Sequence, residues 1–135
     1  MAKYLTQEWC ALFKDALNNS KAYEDSAKTW EGDFYFVTEA GGPVTEKAYM
    51  YVDLWHGKCR ACEIVTDVTK YKPAFVLSAA YSVWKQIATK KLGATAALIT
   101  RQSKLSGDMT KIMRYTKAAT ELTNCTMQVP TEWLD

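Results

Sequence analysis

The stretch "KAYMYVDLW", residues 47–55, alternates without a break. Ala48, Met50, Val52 and Leu54 fall on one side; Tyr49, Tyr51, Asp53 and Trp55 fall on the other. A period of two belongs to a strand with one buried face and one half-wet face, and it fits no amphipathic helix. The neighbouring segments extend the pattern. In "EGDFYFVTEA", residues 31–40, Phe34 and Phe36 share one face, and Tyr35 and Val37 the other. "GGP" at 41–43 is a loop. "HG" at 56–57 turns the chain into "CRACEIVT", residues 59–66, and connections this short favour antiparallel neighbours. Phe75, Leu77 and Ala79 alternate with Val76 and Ser78. A fourth strand is therefore predicted near 73–79, with Pro73 at its first position. "SKLSG", residues 103–107, reads as a short fifth strand.

Helical periodicity surrounds this block. Residues 6–19 carry the stripe Trp9, Leu12, Phe13, Ala16 and Leu17, with Thr6 placed to cap it. A short helix follows from 21 to about 29. Another, from about 80 to 91, buries Val83, Trp84 and Ile87 and is predicted to end on Gly93 as its C-cap. "ATAALIT", residues 94–100, adds one or two turns. Asp108 caps the last helix, from 109 to about 124, where its carboxylate accepts the free N–H groups of the first turn. Strands in one block with helices beside them predict an α+β chain. The expected architecture is a five-stranded, mostly antiparallel sheet covered on one face by helices. A length of 135 residues suits one domain, 1–135, with one core.

Composition removes several functions. No apolar run approaches the roughly 20 residues a bilayer span needs, so no transmembrane segment is expected. The opening "MAKYLTQEWCALFKD" meets charge too soon for a secretory signal, and a cytoplasmic location is the expectation. Net charge is only +2 and no nucleic-acid motif is present, so nucleic acid is not the expected partner. The charge is unevenly spread, however. Between 85 and 117 eight basic residues face a single acid, Asp108, an arrangement that attracts a carboxylate, a phosphate or a membrane surface when it is not simply a solvated face.

The usual catalytic motifs are missing. There is no nucleophile elbow, no phosphate-binding glycine loop and no evident acid/base pair. The single histidine, His56, lies in a turn beside Gly57. Cys59 and Cys62 form a Cys-x-x-Cys pair with no second pair and no nearby histidine. In a strand, residues three apart point to opposite faces, so this pair reads as structural thiols. No catalysis, no metal and no cofactor are expected.

What remains is five Trp, eight Tyr, four Phe and a methionine-bearing stretch, "KLSGDMTKIMRY", residues 104–115. Met109 and Met113 share a helix face with Ile112 between them, and Thr116 and Ala119 continue it. Methionine adapts its shape readily. A sealed core and a pocket for an apolar ligand both fit.

The order of these features resembles the sterol carrier protein 2 family in its small, stand-alone prokaryotic form. The resemblance runs from about 20 to 120. It rests on "AKTWEGDFYF" entering the first strand, the hairpin, Trp84–Lys85 in a helix, "ATAALIT", the basic strand "SKLSG", and "GDMTKIMR" opening the final helix. It implies a hydrophobic tunnel between sheet and helices that holds a fatty acyl chain, a sterol or another lipid. "KLSGDMTKIMRY" would then form part of the tunnel wall. On this reading the apolar wall comprises Phe36, Trp84, Ile87, Leu98 and Ile99, continued by Leu105, Met109, Ile112, Met113 and Thr116. Lys104, Lys111 and Arg114 are the candidates for an anionic head group. The expected activity is non-enzymatic binding or transfer of a hydrophobic small molecule, with transient contact at a membrane surface. Two alternatives stay open. One is an accessory subunit that holds a hydrophobic substrate for a partner enzyme, with Tyr49, Tyr51 and Trp55 as its docking surface or as a homodimer seam. The other is a small lipid-acting enzyme using Cys59, Cys62 or His56.

Overall fold

A computed structural model describes residues 1–135. In chain order the elements are β1 (Ala2–Lys3), α1 (Gln7–Asn18), α2 (Lys21–Ser26), β2 (Glu31–Thr38), β3 (Ala48–Trp55), β4 (Lys58–Val65) and β5 (Phe75–Ala79). They continue with α3 (Tyr81–Ala88), α4 (Ala94–Ile99), β6 (Ser103–Ser106), α5 (Met109–Met113), α6 (Thr116–Met127) and β7 (Thr131–Glu132). The five predicted strands form one sheet in the order β4-β3-β2-β5-β6. Every neighbouring pair is antiparallel except β2 and β5, which run parallel at the sheet's centre. No helix is long and apolar enough to cross a membrane.

The register carries the alternation across the whole sheet. Phe34 lies between Val52 and Phe75, and Phe36 between Met50 and Leu77. These residues belong to the face that packs against the helices. The opposite face carries a smaller cluster of Tyr35, Val37, Tyr51 and Val65. The segment 66–74 crosses that face on its way from β4 to β5. Tyr71 stacks on Tyr51 at 3.6 Å, and the Tyr35 hydroxyl donates to the Val68 carbonyl. Tyr51, a candidate docking residue in the sequence, is therefore buried under the protein's own loop. Trp55 stays exposed, with the Arg60 guanidinium 4.6 Å over its ring.

Several elements depart from the sequence expectation, each for a physical reason. Leu54 pairs with Cys59 but Asp53 pairs with Ala61, so Arg60 is an extra residue, a β-bulge. The bulge shifts the alternation by one and puts Cys59 and Cys62 on the same, helix-facing side instead of on opposite faces. Arg60 binds Asp53 through Nε and Nη2 at 3.0 and 3.1 Å. Gly93 does not close the third helix. It has φ −69° and precedes α4 as its N-cap. The left-handed residue after α3 is Lys90, φ 65°, with the Lys91 N–H returning to the Gln86 carbonyl at 2.8 Å. After α4 it is Arg101, φ 63°, with the Gln102 N–H on the Ala97 carbonyl. Both are Schellman endings built without glycine. The single helix predicted from 109 to 124 is broken at Tyr115, where φ −116° and ψ 37° leave the helical range. Tyr115 turns its ring edge-on to Trp30 at 4.9 Å, and its hydroxyl meets Thr29 Oγ1 at 2.9 Å. No proline or glycine marks the break, and a tertiary contact makes it. The pairing of β1 with β7, which ties the two termini together in parallel, also has no sequence period, because each strand has only two residues.

The turn between β3 and β4 uses positive φ at both His56 (48°) and Gly57 (81°), as a two-residue hairpin of matching twist requires. A Cβ on Gly57 would lie 2.7 Å from the Glu24 carbonyl of α2. Gly57→Ala should therefore cost about 2–4 kcal/mol, whereas Gly42→Ala, at φ +54° in open space, should cost only about 1. Arg101→Gly should stabilise by about 0.5–1 kcal/mol, because glycine takes the left-handed cap without strain. Urea unfolding of the three variants checks the order.

Candidate functional site: an apolar cavity between sheet and helices

The helices do not close completely on the sheet. A cavity of about 150 Å³ remains between them. On the measure in which one water takes about 15 Å³, it has room for about ten waters. Phe34, Phe36, Met50, Leu54 and Leu77 form its floor. Trp9 and Phe13 of α1, Trp84 and Ile87 of α3, and Leu98 of α4 close the sides. Ile112 of α5 and Tyr115, Ala118, Ala119 and Leu122 at and after the helix break complete the roof. Tyr4 and Leu5 join from the N-terminus.

The floor is rigid. Trp30, Phe34, Phe36 and Trp84 pack ring to ring with centroids 5.8, 5.1 and 5.5 Å apart, and Phe75 lies 5.1 Å from Phe34. Trp84 is fixed by donating its Nε1–H to the Val37 carbonyl at 2.9 Å, and Trp30 by donating to the Gly32 carbonyl at 2.9 Å. The roof opposite offers short side chains, among them Ala88, Ala94, Ala118 and Ala119. Fixed rings facing alanines cannot interdigitate to the density of a closed core, so a void is left. No charged residue contributes to the wall.

Of the residues singled out in the sequence, Phe36, Trp84, Ile87, Leu98 and Ile112 line this cavity. The other five do not. Leu105 lies beside Leu77 on β6 and packs into the core without reaching the wall. Ile99, at the end of α4, is 65 % exposed while Ala97 and Leu98 turn inward. Met109 is 44 % and Met113 37 % exposed, and Thr116 is exposed too. Met109 and Met113 lie on the outer side of the short helix α5, whose wall residue is Ile112, and Thr116 opens α6 just past the break at Tyr115 and faces outward.

The three candidate cations are separated as well. Lys104 pairs with Ser78 and so points to the sheet face away from the helices. Lys111 donates to the Glu31 carbonyl, with Nζ 4.9 Å above the Trp30 ring, and is a clamp holding α5 to β2. Arg114, at the end of α5, is exposed next to the wall residue Tyr115. Sequence reasoning missed Tyr4, Leu5, Tyr23 and Tyr115 as wall residues, and it placed Trp9 and Phe13 on a helix stripe without assigning them to a cavity.

Outside the cavity wall, Cys10, Cys59, Cys62 and Cys125 are all free thiols. Burial pushes the Cys59 thiol up to about 12. The neighbouring Cys10 thiol, reinforced by burial, pushes Cys62 well above the ordinary range. His56 meets Glu31 at 2.6 Å on the surface.

The sequence pattern of the SCP-2 sterol transfer family matches residues 13–120. The chain belongs to that family. Solved structures agree with the match. A crystal structure of sterol carrier protein 2 is 27% identical and superposes with a TM-score of 0.86, covering 94% of this chain and 99% of that one. A Thermus thermophilus protein described as possibly a sterol carrier protein is 26% identical, with a TM-score of 0.87 over 98% of this chain and 93% of that one. The fold also recurs in UbiJ-SCP2, a ubiquinone synthesis protein, at 12% identity and a TM-score of 0.58, covering 87% and 90%. No curated protein matches the sequence. The α+β fold with its five-stranded mixed sheet is thus the one this SCP-2 family chain shares with those structures.

A raised thiol pKa keeps the group protonated and unreactive at neutral pH. With the native protein at pH 8, N-ethylmaleimide should leave Cys59 unmodified over the minutes in which the urea-unfolded chain takes up four equivalents, as counted by mass spectrometry.

Proposed function

We propose that this protein binds and carries a single-chain lipid in the cavity between sheet and helices, without chemical turnover. The observation that carries the reading is a wall of 25 residues with no charged side chain among them. Membership of a sterol transfer family supports it. An apolar chain loses nothing by entering such a space, whereas a carboxylate finds no partner inside. The polar head therefore stays at the surface, where Arg114 beside Tyr115 is the remaining candidate to meet an anion.

Magnitudes are consistent with a carrier. Burying about 14 methylenes contributes roughly 11 kcal/mol at about 0.8 each. Association costs at least about 4 kcal/mol. The difference corresponds to affinity in the micromolar range, tight enough to load and weak enough to release. A chain of that length exceeds the resting cavity, so the roof moves outward on loading. The part that yields is α5, which buries no residue fully and is held to β2 by the Lys111 clamp that loading has to release.

Titrating delipidated protein with fatty acids of increasing length should show affinity rising about fourfold per methylene until the space is full. No binding at any length, or binding indifferent to length, overturns the reading. Ile112→Trp, which fills the cavity, should weaken uptake of a fluorescent fatty acid at least about tenfold while the melting temperature holds. Met113→Trp, on the outer side of α5, should change neither.

A further inference from the structure

The cavity wall is apolar but carries a few hydroxyls, and three of them are already hydrogen-bonded within the protein. Thr123 donates to the Thr120 carbonyl at 2.8 Å and Thr126 to the Thr123 carbonyl at 2.6 Å, each one turn back along α6. The Tyr115 hydroxyl meets Thr29. The hydroxyls of Tyr4 and Tyr23 belong to large aromatic side chains packed in the main core.

Ser103 differs. It is the first residue of β6, it lines the cavity, and it is only 3 % exposed. Its hydroxyl forms no hydrogen bond within the protein. No sealed-in side-chain oxygen or nitrogen of the protein lacks a partner. The Ser103 hydroxyl must therefore open onto free space, and the space its side chain borders is the cavity. Pairing places Thr38, Ala79 and Ser103 side by side on the helix-facing surface of β2, β5 and β6. This row lies at the end of β2 opposite Trp30 and Tyr115. Thr95, on the helix that packs against β6, also lines the cavity, and its hydroxyl is likewise without a bond.

We propose that Ser103 is a hydrogen-bonding subsite inside the cavity that selects ligands carrying a neutral oxygen, an alcohol or a ketone, at the end lodged against β6. The proposal rests on the lipid-binding reading above. A buried hydroxyl without a partner is unfavourable, and a ligand that supplies one gains affinity beyond its apolar surface. The oxygen has to be neutral, because no cationic side chain on the wall offsets the desolvation of a carboxylate. A hydroxyl both donates and accepts, so an alcohol and a ketone are served alike.

The test is displacement of a fluorescent fatty acid from delipidated protein by 1-dodecanol and by 1-chlorododecane, two ligands of one length of which only the first carries a strong hydrogen-bonding group. Ser103→Ala should weaken displacement by dodecanol roughly fivefold, the equivalent of one ordinary hydrogen bond, and leave chlorododecane within about twofold. Ser103→Cys, nearly isosteric with a weaker donor, should fall between. The melting temperature of unliganded Ser103→Ala should be unchanged or higher, since the hydroxyl it removes bonds to no other group of the protein. Equal effects on both ligands, no effect on either, or a clear loss of stability in the unliganded variant overturns the subsite while leaving lipid binding intact. Failure of the wild type to bind the fluorescent fatty acid at all overturns lipid binding itself, and the subsite with it.

Discussion

The structure turns on a mismatch between two surfaces. Trp30, Phe34 and Phe36 on and beside β2, joined by Trp84 from α3, form a row of rings locked together and to the backbone by indole hydrogen bonds. The helices that cover them present alanine and threonine along α6 and at the start of α4. Rings held this firmly do not rotate to fill gaps, and short side chains do not reach. The apolar faces still drive sheet and helices together, but they meet with space left over. At about 24 cal/mol per Å³, an empty cavity of about 150 Å³ lowers stability by about 4 kcal/mol relative to filled packing. The fold sustains that loss through the packing around the cavity, where Phe13, Leu17 and Val52 are fully buried.

Features remote from the cavity can be understood by how they hold its walls. The β1–β7 pair, with Trp9 Nε1 donating to Thr131 Oγ1, fixes Tyr4 and Leu5 at the wall. The C-terminal Asp135 accepts from Tyr81 and Lys85 at 2.9 Å and secures α3, which carries Trp84. Lys111 and Tyr115 both anchor on the Trp30 ring and position the stretch from α5 into α6. On the reverse of the sheet, segment 66–74 with Tyr71 covers the tyrosines that would otherwise offer a sticky face. The helix-facing side is left as the place where apolar space remains open.

Legibility of the site followed the reach of the signal. Phe36, Trp84, Ile87, Leu98 and Ile112 could be assigned inward because each lies within an element whose period is set by its own sequence. Met109, Met113 and Thr116 form an inner face only on the assumption of one unbroken helix. α5 is a separate short helix that turns Ile112 inward and both methionines outward, and the break after it arises from the Tyr115 ring packing against Trp30, far earlier in the chain. Cys59 and Cys62 went the same way. A period of two is reliable only until a bulge adds a residue, and the Arg60 bulge is fixed by Asp53 on the partner strand.

The sequence by itself determined the five strands, the inward faces of β2, β3 and β5, the caps at Thr6 and Asp108, and the family resemblance, because periodicity, capping and turn chemistry act over a few residues and are written locally. Tertiary structure alone decided the parallel pairing of β2 with β5, the joining of the termini, the helix break at Tyr115 and the unpartnered hydroxyl of Ser103 inside the cavity. Each of these depends on which surfaces meet. A void, in particular, is a property of two surfaces that fail to fit, and neither surface carries that information alone.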